Sequence, residues 1–408
     1  MTNSSSCILC GSTTEPILDL GDQVLANSLE CHSEPPQKRY PLFLHRCLSC
    51  THLQLNTLVD PSLLFTEYCW VTGTSKAARR FSYQFFNEVK KRSPNSKSVL
   101  EIASNDGTFL RPFLETGHNA IGIDPAQNLT KLANENGILT HCDFFSLKSA
   151  EFLTQNYSPD GFDIVIARNV IAHTPDPLSM LEGIRKCLSP SGLAFVEYHD
   201  AFHILESFQY DSIYHEHYSY FSLKSFKKAA ELSGLFILDY FDSPISGGAS
   251  VVILGRQNND SFSTAGLDTK MNKDSVIGLY TSDRWIDFAT NSQQHSSSLL
   301  HAVSEISRSS QIIGYGSSAR SNTLLQYSGI SNNMIKFIID NNKLKQGRLT
   351  PGTRIPIKSI DSFLQYEVVV LLLAWNFSSE IIEQLKLLDR NDISVIQPLP
   401  GKVKTYPI

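Results

Sequence analysis

The sequence predicts an α/β protein of three parts: an N-terminal four-cysteine module, a central Rossmann-like domain and a second, C-terminal Rossmann-like α/β domain. Three observations carry this. Two CxxC pairs sit near the start of the chain. Apolar runs typical of strands then alternate with helical periodicity from Ser98 to about Glu197. The same alternation begins afresh at Gln311. These shifts divide the chain at 1–65, 66–300 and 301–408.

Composition bounds the function. The chain has 408 residues, 41% of them hydrophobic and 10% aromatic, enough to build cores and to exclude whole-chain disorder. Lys and Arg number 35 against 40 Asp and Glu, a net charge of -5, so no general grip on nucleic acid or an anionic membrane is expected. Met1 to Ser6 lacks the basic-then-apolar layout of a secretion signal. The longest apolar run, Val368 to Trp375, is too short for a bilayer. The expectation is a soluble cytoplasmic protein, a monomer or weak oligomer.

The first element is the pair Cys7-Ile8-Leu9-Cys10 and Cys47-Leu48-Ser49-Cys50, separated by 36 residues. Each CxxC turn can aim two thiolates at one ion, and two turns complete a tetrahedron. Structural Zn2+ is expected on Cys7, Cys10, Cys47 and Cys50. A shell of four thiolates leaves no coordination site for substrate, so this metal would shape the fold. Redox pairs are the alternative, but a thioredoxin-type pair belongs on a βαβ unit. Cys31, Cys69, Cys142 and Cys187 lack partners at ligand spacing and are expected to be buried small residues.

From Pro61 to about Arg92 the pattern is helical, with Phe81, Phe85, Phe86 and Val89 on one face. Strands are expected at Ser98 to Ala103, Ala120 to Asp124, Phe162 to Ala167 and Gly192 to Glu197, with a helix beginning near Gly107. The turn Ala103-Ser-Asn-Asp-Gly107 after Glu101 would bring backbone close to a nucleoside ligand. Asp124, 17 positions after Gly107, can accept both ribose hydroxyls. At the next strand end Asp143 suits an adenine amino group and Phe144 its face; Arg168 and Asn169 close a fourth. Together these give the layout of a class I S-adenosylmethionine-binding fold, with Ala103 and Asn105 where that fold usually has glycine. A purely structural sheet and an NAD site are the alternatives.

Tyr214-His-Glu-His-Tyr-Ser-Tyr220 packs two histidines, one glutamate and three tyrosines into seven residues. If extended, His215 and His217 share one face with Glu216 opposite. Three readings compete: a His-x-His metal site completed by His199 or His203, a structural cluster, or proton chemistry. An imidazole can take a proton beside a carbonyl near neutral pH, and tyrosine hydroxyls can stabilise the resulting enolate oxygen.

Gln257 to Lys273 reads as an exposed loop, and helices resume from Val276 to Ser309. Strands follow at Gln311 to Gly316, Met334 to Ile339 and Glu367 to Leu373, the unit ending near Val395. The turn Gly314-Tyr-Gly-Ser-Ser-Ala-Arg-Ser-Asn322 opens a helix. Gly316 and its small neighbours let amides approach a phosphate, Arg320 offers a charge for a diphosphate, and Asp340 sits where a ribose or base contact falls. Alone this turn suggests a dehydrogenase; a diphosphate-bearing substrate is the preferred reading.

With these residues in hand, the chain resembles the sugar C-methyltransferases that act on nucleotide-linked 4-keto deoxysugars. The resemblance spans nearly the whole chain. It takes in the cysteine module, Glu101-Ile-Ala-Ser-Asn-Asp-Gly107, Tyr214-His-Glu-His217 and Gly314 to Asn322. It continues through Lys345-Gln-Gly-Arg348 with Pro351-Gly352, and Leu372-Leu-Ala-Trp-Asn376. It implies His217 as the base and Glu216 and Tyr214 as catalytic or positioning partners. It also implies a C-terminal domain that helps bind a nucleotide-diphosphate sugar, dTDP-linked, through Gly316, Arg320, Asn322 and Asp340, with Tyr68 and His215 as further contacts. O- or N-methylation and nicotinamide-dependent oxidoreduction are the alternatives.

Overall fold

The structure is a computed structural model that describes residues 6–259, 261–363, 368–388 and 393–408. The N-terminal part holds the antiparallel strands β1 (Thr14–Val24), β2 (Arg39–Cys47) and β3 (Leu53–Leu55). The middle of the chain supplies β4 (Ser98–Ile102), β5 (Asn119–Asp124), β6 (Thr140–Cys142), β7 (Phe162–Arg168) and β8 (Leu188–His199). It then adds the short β9 (Ser219–Tyr220) and the hairpin β10 (Phe236–Ser243) and β11 (Ala249–Gly255). The C-terminal part holds β12 (Gln311–Tyr315), β13 (Ile335–Ile339), β14 (Ile357–Lys358), β15 (Val368–Leu372), β16 (Ser394–Gln397) and β17 (Lys404–Pro407). Glu367, expected in a strand, lies outside the described residues.

The central sheet has the order β10-β11-β8-β7-β4-β5-β6. Successive residues of β4, β7 and β8 enter opposite cores. Leu100, Val165 and Val196 join one; Val99, Ile164 and Phe195 join the other, which is covered by Phe81, Phe85 and Val89 of the helix Lys76–Arg92. Burial on both faces explains the unbroken apolar runs. The sheet is not wholly parallel as expected, because β11 runs antiparallel to both β8 and β10. Strand order reverses between β4 and β7, which opens a crevice at their carboxyl ends. The C-terminal sheet has the order β14-β13-β12-β15-β16-β17, parallel except for β17.

The sequence reading departs from the structure in both directions: residues 66–71 and 75, expected to be helical, lie outside the helices Pro61–Phe65 and Lys76–Arg92, whereas a stretch expected to be a loop is helical. Within Gln257 to Lys273, residues from 265 onward enter the helix Ala265–Val276 rather than a loop. Its polarity misleads because Lys270 and Asp274 turn inward. The Lys270 ammonium lies 2.6 Å from Asp274 and 3.0 Å from the buried Asp200, so opposite charges take the place of apolar packing.

The cysteine module is fastened to the central domain through β9. Residues 219–220 do not join the large sheet but pair with β3, Leu53 opposite Tyr220 and Gln54 opposite Ser219. Tyr218 clamps the junction. Its amide donates to the Ala172 carbonyl (2.7 Å), its carbonyl accepts from Leu55 (3.0 Å), and its hydroxyl donates to the Val59 carbonyl (2.5 Å). Cys7, Leu9, Cys47 and Cys50 share an apolar cluster with Phe221 and Phe226. On the other side, Glu30 and Leu349 exchange backbone hydrogen bonds, and Arg348 donates to the Leu29 carbonyl at 3.0 Å. The C-terminal domain therefore grips the loop between β1 and β2. Among the described residues no helix is long and apolar enough to cross a membrane.

Because β3 joins the cysteine turns to β9 in this ladder, removing the metal should loosen β9 first. Hydrogen exchange of the Leu55 and Tyr218 amides should quicken on chelation while amides within β4 and β7 stay protected. Unchanged exchange at Leu55 and Tyr218 would contradict the coupling.

Candidate active site

The turn after β4 follows a glycine-like path without the glycines. Ala103 and Asn105 both adopt φ of 54°, a left-handed conformation that costs an L-residue roughly 1–2 kcal/mol. The Asn105 amide donates to Asp124 Oδ2 (2.8 Å) and the Ala126 amide to Oδ1 (2.9 Å), which fixes that carboxylate at the end of β5. Gly107, at φ 77°, is obligatory, since a Cβ would stand 2.6 Å from Ile138. The helix starts later than expected, at Arg111–Glu115, after a turn closed on the Gly107 carbonyl. Glu101 is buried at the carboxyl end of β4, and its Oε2 has no hydrogen-bond partner. Burial holds its carboxyl well above the ordinary carboxylate range, and Asp124 is also pushed up, chiefly by burial.

Asp143 and Phe144 lie exposed just past β6, with Asp143 accepting from the Phe144 amide at 2.8 Å. Asn169, past β7 at φ 50°, donates from its amide to the Glu197 carbonyl at 2.9 Å. Arg168 is engaged elsewhere. Its Nε lies 2.6 Å from Glu197 Oε2 and its guanidinium 3.3 Å from the Phe109 ring centroid, so it braces β7 against β8. A buried carboxyl with one unpartnered oxygen, a second acid one strand over and a close-approach turn between them suit a ribose-bearing ligand such as S-adenosylmethionine.

Across from this crevice, residues 212–217 form a tight loop rather than an extended strand. The His217 amide donates to the Tyr214 carbonyl (2.9 Å), so His215, Glu216 and His217 diverge instead of alternating. His215 turns to the Tyr40 and Pro41 carbonyls, each 3.2 Å from Nε2. Glu216 accepts from Asn27 Nδ2 (2.6 Å) and the Tyr68 hydroxyl (3.0 Å). His217 packs its ring 4.8 Å from that of His173 and 4.2 Å from that of Tyr214. Its Nδ1 lies 3.2 Å from the Ser212 carbonyl and its Nε2 2.9 Å from the Tyr214 hydroxyl. A carbonyl only accepts, so Nδ1 carries the hydrogen and Nε2 keeps the lone pair.

Electrostatics follows from desolvation. His217 is held well below the usual histidine range, first by burial and then by His173 and His199. Burial brings His173 to about 4 and His199 to about 3. Glu216, 1% exposed, is pushed up to about 7 by burial, with Tyr68, Asn27 and Lys345 opposing. The site thus holds neutral imidazoles beside a carboxyl poised to titrate near neutrality.

Among the described residues the one His/Cys/Asp/Glu group with metal geometry is Cys7, Cys10, Cys47 and Cys50, whose sulfurs all lie within 4.8 Å of one another. Peptide N–H groups of Leu9, Ser49 and Cys50 point at these sulfurs at 3.4 Å, the support thiolates need around zinc. A His-x-His centre is not assembled. The remaining cysteines are less uniform than expected: Cys187 is buried, Cys31 and Cys69 are half-buried, and Cys142 is exposed.

The C-terminal turn also differs from expectation. Gly316, at φ 94°, brings the backbone so close that a Cβ would meet Ala374 at 2.3 Å. Asp340 accepts from the Ser317 and Asn342 amides, both at 2.8 Å, and so shapes the loop. Arg320 binds the buried Asp211 through Nε (3.1 Å) and Nη2 (2.9 Å), stacks 4.7 Å from Trp375 and reaches Gln209. Its charge is spent on the loop that leads to His217. Asn322 is buried with both amide atoms unpartnered, and the buried Lys345 donates to the Ser317 carbonyl at 2.6 Å.

Sequence reasoning passed over His173, Asn27 and the Ser212 carbonyl, and it named Lys345 only within a motif, with no role. His173 lies four positions beyond Asn169 at the strand end already singled out, a signal that was available. Asn27 comes from a loop with no local pattern and reaches Glu216 only through the fold.

Charging Glu216 in place sets a pH dependence with a definite sign. Its folded value lies above its unfolded one, so the native state holds the proton more tightly and loses stability as pH rises from about 4.5 to about 7. In Glu216→Gln the fall in unfolding free energy between pH 5 and 8 should shrink by about 3 kcal/mol relative to wild type. Identical slopes in denaturant titrations would contradict this.

Residues 7–65 match a zinc binding domain, 75–240 a methyltransferase domain and 244–400 a C-methyltransferase C-terminal domain. The C-methyltransferase NovU of Streptomyces niveus is 28% identical over 401 residues, 97% of this chain and 95% of that protein. The ubiquinone biosynthesis O-methyltransferase of Hydrogenovibrio crunogenus is 28% identical over 105 residues, 26% of this chain and 43% of its own. The magnesium protoporphyrin IX methyltransferase of Synechocystis PCC 6803, with bound SAM, covers 44% of this chain and 80% of its own at 11% identity and a TM-score of 0.34. The nicotinamide-enzyme alternative falls away, and the chain is an S-adenosylmethionine-dependent methyltransferase.

Proposed function

We propose that the protein methylates a carbon next to the keto group of a nucleotide-linked keto-deoxysugar, through an enolate formed with His217 as base. The observation that carries the reading is the state of that ring: neutral, desolvated, its Nδ1–H held by the Ser212 carbonyl and its Nε2 lone pair facing a tyrosine hydroxyl. A carbon acid beside a carbonyl needs a neutral base and a donor for the oxygen that becomes negative. His217 and Tyr214 supply the two within one hydrogen bond of each other. The full-length likeness to a C-methyltransferase supports carbon as the acceptor. The sugar class rests on the motif resemblance.

S-adenosylmethionine supplies an electrophilic methyl group whose departure leaves a neutral thioether, so no acid is needed on that side. Glu101, the Ala103 to Gly107 turn, Asp124 and Asn169 hold the donor, with Asp143 and Phe144 at the open end of its crevice. On substrate entry the Tyr214 hydroxyl turns from Nε2 to the keto oxygen, and Nε2 takes the proton from the adjacent carbon. The imidazolium that forms is stabilised by the Ser212 carbonyl. Glu216, held by Tyr68 and Asn27, positions the sugar. The diphosphate faces Gly316 to Asn322, where Asn322 has an unspent buried amide. Arg320 acts on the protein's own loop. Zinc shapes the N-terminal module and takes no part in the chemistry.

His217→Asn should retain donor binding by calorimetry but lose methyl transfer by roughly 100-fold or more. It should also lose exchange of the substrate's α-proton with deuterated water. Wild-type exchange in the variant would remove the base assignment. A labelled methyl found on oxygen or nitrogen would favour O- or N-methylation instead.

A further inference from the structure

Residues 66–74 form a strap that meets the turn after β4, the start of the helix Gln127–Glu135, Glu216 and the C-terminal domain. At its start the Gln127 amide donates to the Thr66 carbonyl at 3.1 Å. Asn128 then takes both backbone groups of Tyr68: Oδ1 accepts from the Tyr68 amide (3.2 Å), and Nδ2 donates to the Tyr68 carbonyl (2.8 Å). Further on, Asn105 accepts from the Thr72 amide (2.9 Å) and donates to the Trp70 carbonyl (3.1 Å), while Asp106 accepts from the Gly73 amide (2.9 Å). Gly73 has no room for a side chain, since a Cβ would lie 2.3 Å from Asp106 Oδ2. From the C-terminal domain, Asn342 donates to the Cys69 carbonyl at 2.8 Å.

We infer that Asn128, in the helix Gln127–Glu135, is a positioning residue that fixes the backbone of Tyr68 and so aims its hydroxyl at Glu216. An amide side chain offers one acceptor and one donor in a fixed plane, the pair a neighbouring strand would present. Gripping both backbone groups leaves Tyr68 only its side-chain torsions, and its hydroxyl meets Glu216 Oε2 at 3.0 Å. Asn128 stands four positions after Asp124, on a segment pinned by Asp124 to the Ala126 amide. The carboxylate that would hold the donor's ribose and the amide that aims Tyr68 therefore share one support.

The inference rests on the proposed function, in which Glu216 positions the substrate. The groups that face Glu216 are Tyr68, Asn27 and Cys69 from the N-terminal half, Tyr214 and Tyr218 from its own loop, and Lys345 from the C-terminal domain. Of these, only Tyr68 is reached by Asn128. Losing the tyrosine's donated hydrogen bond leaves the carboxylate less stabilised, so its titration moves to higher pH.

The test is a kinetic double-mutant cycle on the full-length enzyme, with Asn128→Ala, Tyr68→Phe, the pair together and Glu216→Gln as reference. Asn128→Ala should lower kcat by roughly 10- to 100-fold and shift the limb of the pH profile that Glu216→Gln abolishes. In the double variant the two losses should fall well short of multiplying. Asn128→Asp, which keeps the acceptor but turns a carboxylate oxygen toward the Tyr68 carbonyl, should lower kcat at least as far as Asn128→Ala, and it serves if the alanine variant folds poorly. Multiplicative losses, or lowered stability with an unmoved pH profile and kcat, would overturn the inference while leaving the proposed function intact. Wild-type kinetics in Glu216→Gln would instead contradict that function, and the inference with it.

Discussion

One hydrogen bond, from Nδ1 of His217 to the Ser212 carbonyl, governs what the imidazole at the centre of this site can do. Since the acceptor is a peptide oxygen, it dictates the tautomer and leaves the lone pair on Nε2, where Tyr214 meets it. Desolvation by the surrounding rings then keeps the imidazole neutral. A base of this kind is weak in energy but always in the required protonation state, and the neighbouring hydroxyl supplies the stabilisation that the enolate lacks in water.

The rest of the molecule can be understood as the scaffolding of that bond. The carbonyl belongs to a loop held from both sides. From the C-terminal domain, Arg320 and Trp375 converge on Asp211, one residue before Ser212, and the Thr323 hydroxyl donates to the Ile213 carbonyl at 3.1 Å. From the N-terminal module, β3 pairs with β9, only two residues beyond His217. A largely buried ion pair gains little net stability against apolar packing, so the bidentate Asp211–Arg320 contact is better understood as fixing register. Zinc fits the same pattern, since Cys50 lies three residues before β3 and the cysteines pack with Phe221, the residue after β9.

Much of this was legible in the chain. The cysteine spacing, the strand–turn–helix crossings and the dense Tyr214 to Tyr220 run each follow from local chemistry, and local chemistry is what a sequence displays. The errors are non-local. Lys270 looks like a loop residue until Asp200, just past β8, and Asp274 supply the opposing charges. Arg320 beside a glycine turn suggests a phosphate ligand, but its partner lies 109 positions earlier. His215 and His217 look like one face until a turn separates them, and Arg168 looks like a ligand until Glu197 and Phe109 claim it. In each case a charged or polar group was assigned outward because its internal partner is distant in sequence.

The protonation state of His217 is the most direct measure of the account. Imidazole nitrogen shifts by 15N NMR on histidine-labelled protein, assigned by their loss in His217→Asn, report tautomer and charge together. The predicted result is a neutral ring at pH 6, with hydrogen on Nδ1 and a bare Nε2. A ring that is imidazolium at that pH, or neutral with hydrogen on Nε2, would contradict it.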